Sequence, residues 1–384
     1  MLSNIFQSIK EGKTLLGVGP MSKNCVDASI EISKKINCPI MLIASRRQID
    51  CANQGGGYVN KWTTENFANY VKKKINNTKI FMCRDHGGPW QNNNEVKYKY
   101  NLNKAMKTAK RSFKIDIDND FKILHIDTSI DIKRKKLDFN KSIERLFELY
   151  EYCYWYSKRK KKEILFEVGT EEQSGSTSTF EELENTLNEI QKRCLKFKLP
   201  FPTFIVIQSG TKVIERRNIG SFESHVRVSN ELPVEIQLIK NLEICNKYRI
   251  FMKEHNADYL NADSIKWHPL LGIHASNVAP EFGVSETLAL FKIFENESLK
   301  KFEEEFIDIA HKSNKWKKWV LDEKRLSQKE KAIICGHYVF SNQRVSEIKE
   351  ELKEILKRKG IYLDNYLKEN IKKSILRYLT GFGH

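Results

Sequence analysis

No stretch of this chain approaches the ~18 consecutive apolar residues that a membrane-spanning helix requires. The opening "MLSNIFQSIKEGK" has no basic-then-apolar leader before Lys10 and Glu11, so a cytoplasmic location is expected. No Cys-x-x-C pair occurs among the eight cysteines, which are scattered from Cys25 to Cys335. That excludes a cysteine zinc site or a redox motif and leaves reduced, partly buried thiols. No Gly-x-Gly-x-x-Gly follows the first apolar run, which argues against a dinucleotide-binding sheet. The basic runs "DIKRKKLD" (Asp131 to Asp138) and "SKRKKKE" (Ser157 to Glu163) carry no interleaved aromatics on which bases could stack. They read as solvated helix ends or loops, and the formal charge of +17 is not taken as a nucleic-acid surface.

What is present suits a large globular domain with an appendage. Of the 384 residues, 40% are hydrophobic and 11% aromatic, enough to bury a sizeable core. Eight short apolar runs end in small or polar residues: "TLLGVGP" (Thr14 to Pro20), "PIMLIAS" (Pro39 to Ser45), "KIFMCRDH" (Lys79 to His86), "FKILHIDTS" (Phe121 to Ser129), "EILFEVGT" (Glu163 to Thr170), "TFIVIQSG" (Thr203 to Gly210), "LLGIHAS" (Leu270 to Ser276) and "PEFGV" (Pro280 to Val284). Between most of them lie amphipathic helix patterns over residues 22–37, 63–75, 139–158 and 179–197, the last opening on Thr179 with Glu182 three residues on. Fully apolar strands alternating with such helices predict parallel β-structure covered outside by helices. Strand ends recurring about every 40 residues predict a (β/α)8 TIM barrel, an α/β fold, over residues 1–295.

In such a barrel, polar groups that end different strands meet at one face. Arg84, Asp85, His86, Asp127, Glu167, Gln208 and His274 are therefore expected around one pocket. Two imidazoles, a carboxylate and a side-chain carbonyl suit a divalent metal ion such as Zn, Mn, Co or Ni with open positions for substrate. The expected ligands are His86, Glu167 and His274, with Gln208 as a weaker fourth.

The motifs "NQGGGY", "CRDHGGPWQ", "LHIDTSID", "EVGTEE", "VIQSGTKV", "GIHASN" and "FGVSETLALFKIF" come in an order that resembles the class II D-tagatose-1,6-bisphosphate aldolase subunit family, the so-called non-catalytic subunit. Its members show Gly-Asp-His-x-Gly-Pro, Gly-Thr-Glu, Gln-Pro-Gly, Glu-Ala-His-Ser and Val-Gly-Pro-Ala-Leu-Thr segments. The resemblance extends through the tail at "KKWVLDEKRL" and "GHYVFSNQRV" and so covers essentially the whole chain.

It implies the same metal ligands, a catalytic carboxylate at Asp85 or Asp127, and contacts to a sugar or sugar phosphate from Gln48, Ser276, Gly283 and Thr287. The activity it implies is metal-dependent 4-epimerisation of a ketose phosphate by retro-aldol and aldol steps. The alternative is a non-catalytic subunit that stabilises a catalytic aldolase partner; self-association is a further expectation. Ser209 stands where the family has proline, "GVSET" replaces Gly-Pro-Ala-Leu-Thr, and Glu286 discourages a phosphate at that helix start. Arg46 and Arg47 stand where the family has uncharged residues and are alternative anion contacts.

From residue 296 to 384 the chain is rich in lysine and glutamate at helical spacing, with Gly360 as a helix stop. This is expected to be a helical extension packed on the barrel. Trp316 and Trp319 are read there as packing anchors.

Overall fold

The computed structural model describes residues 2–133, 138–169, 179–220 and 234–384. The lysine and arginine run at 134–137 and the Thr-Glu-Glu segment at 170–172 lie outside the described residues.

Eight parallel strands close into a barrel: β1 (Leu15–Val18), β2 (Ile40–Ser45), β3 (Ile80–Gly87), β4 (Ile123–Asp127), β5 (Leu165–Gly169), β6 (Phe204–Val206), then β9 (Phe251–Glu254) and β10 (Ala275–Val278). β1 pairs with both β2 and β10, which closes the ring. A two-stranded antiparallel pair, β7 (Val213–Ile214) with β8 (Arg217–Asn218), follows β6 outside the barrel.

Helices cover the outside, and side chains at their starts take up backbone N–H groups that would otherwise lack partners. Helix α1 (Ser3–Lys10) precedes β1, and α2 (Lys23–Ile36) is capped by Ser22. Thr63 caps α3 (Thr64–Lys72), Asn92 caps the short α4 (Asn93–Lys97), and Asn101 caps α5 (Leu102–Asp118). Asp138 caps α6 (Phe139–Arg159) and Thr179 caps α7 (Phe180–Phe197), where the cap and the glutamate three residues later are those expected. Helix α8 (Val234–Tyr248) leads into β9, and α9 (Ala262–Leu271), capped by Asn261, leads into β10. Among the described residues, no helix is long and apolar enough to cross a membrane.

The last two strands differ from expectation. "PEFGV" is no strand: it opens α10 (Pro280–Asn296), with proline in the first turn, where its missing N–H costs nothing. Leu270 and Leu271 end α9, and Gly272 stops that helix in the left-handed region at φ 83°, so the following strand begins only at Ala275. The strand omitted from the sequence reading is β9. Its four residues include Lys253 and Glu254, both buried, and such charges are kept in a core only by partners.

The barrel interior is apolar at the amino ends of the strands. Leu15, Met41, Phe81, Ile123, Phe204 and Ala275 pack there against Leu2 and Ile5 of the first helix region, which plugs that end. The polar residues sit one and two layers higher. Outside, the strands and helices share one extended apolar cluster, and full burial of each leucine- or phenylalanine-sized side chain stabilises the fold by about 1.5–3 kcal/mol.

The residues after α10 form α11 (Lys300–Lys312), a 3-10 turn at Lys315–Lys318, α12 (Gln328–Cys335), α13 (Gln343–Lys357) and α14 (Leu363–Gly381). A second apolar cluster ties α10 to these helices, and Gly360 sits at φ 75° between the last two. Helix α14 packs on α2 and α10 and contributes Ile371, Ile375 and Tyr378 to the main cluster. All eight cysteines are buried and free, and burial pushes thiols such as Cys25 up to about 12, which keeps them unreactive.

Candidate functional site

Strand β3 breaks its pairing with β4 between Arg84 and Gly87, and His86 within that break has φ 43°. In a regular strand, neighbours such as Asp85 and His86 point to opposite faces; a bulge cancels the alternation. Both residues therefore line the same cavity, of about 360 Å³, at the carboxyl ends of the strands. The loop that follows needs its glycines: a Cβ on Gly88 would lie 1.8 Å from the Asp127 carbonyl oxygen, and one on Gly87 would strike Phe113.

Strand β4 contributes His125 and Asp127, two residues apart and so on one face. The Nδ1 of His86 lies 2.6 Å from Asp127 Oδ2, which also accepts from Gln91 Nε2, while Asp127 Oδ1 accepts from the Ser129 amide. This fixes the His86 ring with Nε2 on the Asp85 side, 3.8 Å from Asp85 Oδ2. The Nδ1 of His125 accepts from the His86 amide at 3.2 Å.

Two further residues complete the cluster. Glu167 of β5 is paired in register with His125. His255, directly after β9, places Nε2 3.0 Å from Glu167 Oε1 and 3.8 Å from Asp85 Oδ1. The His125 Nδ1 is 3.6 Å from each of Asp85 Oδ1 and Glu167 Oε1. Lys253, buried in the barrel, donates to the other oxygen of Glu167 at 2.6 Å.

Burial opposes charge throughout this cluster, and the pairing overrides it at most positions. Burial works against the His86 imidazolium, but Asp85 and Asp127 hold its pKa up at about 9. Asp85 stays well below the usual carboxylate range despite burial, because His86, His125 and His255 surround it. Glu167 is likewise held down, to about 2, by Lys253 and the imidazoles against its burial. For His255 burial prevails, and the ring is kept neutral with a lone pair available.

Asp85, His125, Glu167 and His255 offer four ligand atoms that all lie within 4.8 Å of one another; His86, His125 and His255 form an overlapping group of three imidazoles. Nitrogen and oxygen ligands about 2.0–2.1 Å from a tetrahedral ion stand roughly 3.3 Å apart. The observed separations of 3.0–3.8 Å bracket that value, and the donor set of imidazoles and carboxylates suits a divalent cation. Two buried polar atoms of this layer, His125 Nε2 and Asn277 Oδ1, have no hydrogen-bond partner among the described residues.

Several expected residues are placed elsewhere. His274 precedes β10 at the amino end of the barrel, where its ring lies 4.8 Å from that of Phe251 and its Nδ1 accepts from the Met252 amide. The strand it was thought to end only begins after it, so it lies a full strand away from the cluster. Gln208 follows β6 and is partly buried.

Arg84 points outward, with two bonds to Asp116 of α5 and one each to the carbonyls of Ala44 and Ile49. Arg46 is fully committed to Asp50, Glu95 and the Gly88 carbonyl, so it shapes the loop after β3 and is closed to substrate. Ser276 also faces outward and donates to Glu254, itself held by His268 and Ser209. Gly283 packs on His337, and Thr287 donates to the Gly283 carbonyl, both away from the cavity. Glu286 is enclosed by Ser22, Asn24 and Lys349.

Asp85, His86, Arg47 and Gln48 do line the cavity. The residues that sequence reasoning missed are His125, Lys253 and His255. The spacing of two from Asp127 signals His125; "FMKEHN" signals His255, since a Phe-Met pair leading through charged residues into a histidine is the same strand-end pattern as "FMCRDH". Trp316 is buried as a packing anchor, whereas Trp319 lines the cavity mouth.

A sequence model of the family described as D-tagatose-1,6-bisphosphate aldolase subunit GatZ/KbaZ-like matches residues 2–215, more than half of the chain. No curated protein matches the chain significantly. Among solved structures, a probable tagatose 6 phosphate kinase from Sinorhizobium meliloti 1021 superposes with TM-score 0.77 at 15% identity, covering 96% of this chain and 100% of its own. The fructuronate-tagaturonate epimerase UxaE from Cohnella laeviribosi gives 0.56 at 9% identity over 95% and 81%. The YdjI aldolase from Escherichia coli K12 gives 0.50 at 10% identity over 90% and 94%. At these identities the likeness concerns the fold.

Proposed function

The chain belongs to the D-tagatose-1,6-bisphosphate aldolase subunit GatZ/KbaZ-like family, and from that premise we propose that it is a divalent-metal-dependent epimerase of a ketose or ketose phosphate. The observation that carries the reading is the convergence of Asp85, His125, Glu167 and His255 on one point, with Asp85 and His255 lining the cavity. His125, Glu167 and His255 would hold the ion, leaving Asp85 beside it free to act as a base. A divalent cation supplies polarisation of the substrate carbonyl and stabilises charge that develops there.

The chain's own groups manage the proton. Opening the C3–C4 bond of a ketose removes the C4 hydroxyl proton and yields an aldehyde and a three-carbon enediolate. Re-addition after the aldehyde turns over returns the proton and gives the 4-epimer. Asp85 is ionised and takes the C4 hydroxyl proton. His86, charged and oriented through Nδ1 by Asp127, donates a hydrogen bond from Nε2 to the same oxygen and keeps its own proton. Asp127 is then a positioning residue. If the aldehyde leaves, the same steps amount to an aldolase.

The test is turnover of ketohexoses and their phosphates by the metal-loaded chain alone, with the 4-epimer detected by proton NMR. Epimer formation without any partner supports the reading. A second reading, a subunit that stabilises a catalytic aldolase, is favoured by the family's description as an aldolase subunit. It is supported instead if the chain is inert alone but raises the thermal stability and activity of an aldolase partner on mixing.

A further inference from the structure

The cavity is two-toned. Its floor carries carboxylates and imidazoles, whereas its mouth carries Arg47 from the loop after β2 together with Lys315 and Lys318 from the 3-10 turn of the carboxyl-terminal extension. None of these three cations has a carboxylate partner within salt-bridge distance among the described residues. By contrast, the buried cations Arg46, Arg84 and Lys253 are each matched to acids.

In many barrels of this type, a phosphate sits at the amino end of the helix after the last strands. Here that place is filled from within. Asp258 Oδ1 accepts from the amides of Ala279 and Glu281 at 2.9 and 2.8 Å, and Glu281 adds a second carboxylate in the first turn of α10. A phosphate there would face two acids.

The mouth is aromatic on one side. Tyr58 and Tyr338 form one wall with ring centroids 4.7 Å apart, and Trp319 Nε1 donates to the Tyr338 hydroxyl at 3.2 Å. The extension is docked there by Ser341, which donates to the Tyr58 carbonyl, and by the Trp319 carbonyl, which accepts from the Glu215 amide. The Lys318 ammonium stands 4.4 Å from the Trp319 ring centroid. Lys318 is exposed as a residue, yet its head group is crowded: burial and then the Arg47 charge lower its pKa to about 8. Two cations held near each other without an acid between them are relieved by an anion.

We propose that Arg47 and Lys318 form an anion subsite that fixes the phosphate or carboxylate of a sugar whose carbonyl end points to the floor, and that the carboxyl-terminal extension thereby completes the substrate site. This rests on the sugar-binding reading of the cavity given above. Arginine supplies a planar fork for a bidentate contact, and lysine supplies a point charge beside it.

Isothermal titration on the full chain tests it, with inorganic phosphate first, then a ketohexose 6-phosphate, a ketohexuronate and the uncharged ketohexose. The same series is run on Arg47→Gln and Lys318→Gln, with melting temperatures as a check on folding. The wild type should bind a charged sugar at least ~10-fold tighter than the neutral one, and each variant should lose roughly 10-fold of that margin while binding the neutral sugar unchanged. Which charged sugar wins tells whether the anion is a phosphate or a carboxylate. Equal affinity of the wild type for charged and neutral sugars, or variants that bind charged sugars as tightly as the wild type, overturns the proposal. Charged sugars that bind through these two residues and are not turned over leave the subsite standing and remove the epimerase reading.

Discussion

His86 and Asp127, on neighbouring strands, are joined by a 2.6 Å contact between Nδ1 and Oδ2, and the bond exists because the strand carrying His86 bulges at that residue. The contact leaves one ring nitrogen toward the cavity and ties the other to a buried acid. Asp127→Asn keeps the shape and loses one of the two carboxylate charges, with that of Asp85, that hold His86 protonated. It is expected to lower kcat about 100-fold with little change in KM, and to leave bound metal unchanged; steady-state kinetics with metal analysis checks both.

Lys253 and Glu167 form a buried pair inside the barrel. Removing one partner of such a pair leaves an uncompensated charge, which costs about 3–5 kcal/mol. Lys253→Met should therefore destabilise the metal-free chain by about that much. A bound cation takes over the neutralisation of Glu167, so the loss measured by chemical denaturation should shrink when metal is present.

Gly88 passes over the carbonyl of Asp127 with no room for a side chain. Gly88→Ala forces the loop away from β4 and should cost at least ~2 kcal/mol, read as a lowered denaturation midpoint at unchanged slope.

Acid stability depends on a histidine far from the cluster. His337 is buried with neither ring nitrogen hydrogen-bonded among the described residues; burial and then the Lys318 charge push its pKa down to about 3. A group whose folded pKa is depressed stabilises the fold above its unfolded value of about 6.5. That contribution is lost as pH falls from there toward 3, because the unfolded chain takes up the proton first. At pH 5 the loss is about 2 kcal/mol. His337→Leu should be less sensitive to this acidification, so the gap between the denaturation midpoints at pH 7 and pH 5 should narrow.

Six of the eight barrel strands and four of the helices between them were legible because apolar runs and amphipathic periods are local patterns. The last two strands were not, and for a common reason. β9 is four residues long and half charged, and its burial is intelligible only once Glu167 and His268 stand beside Lys253 and Glu254. "PEFGV" is apolar enough for a strand, but proline in the first turn and a following helical period decide for a helix.

The site was read in the same way. Asp85, His86, Asp127 and Glu167 end or nearly end strands that were found; the first two line the cavity, Asp127 bonds to His86 and Glu167 to His255. His255 ends the strand that was missed, and His274 took its place in the reading because a histidine after an apolar run looks the same at either end of a strand. Arg46 and Arg47 are adjacent in sequence and indistinguishable there. Only the fold shows the first tied to Asp50 and Glu95 and the second at the cavity mouth.

The measurement that bears most directly on the metal centre is metal content after purification and dialysis, compared for the wild type, Glu167→Gln, His255→Ala and His274→Ala. The account predicts about one equivalent of divalent metal in the wild type and in His274→Ala, and its loss from Glu167→Gln and His255→Ala. Full metal in His255→Ala, or loss from His274→Ala alone, would contradict it.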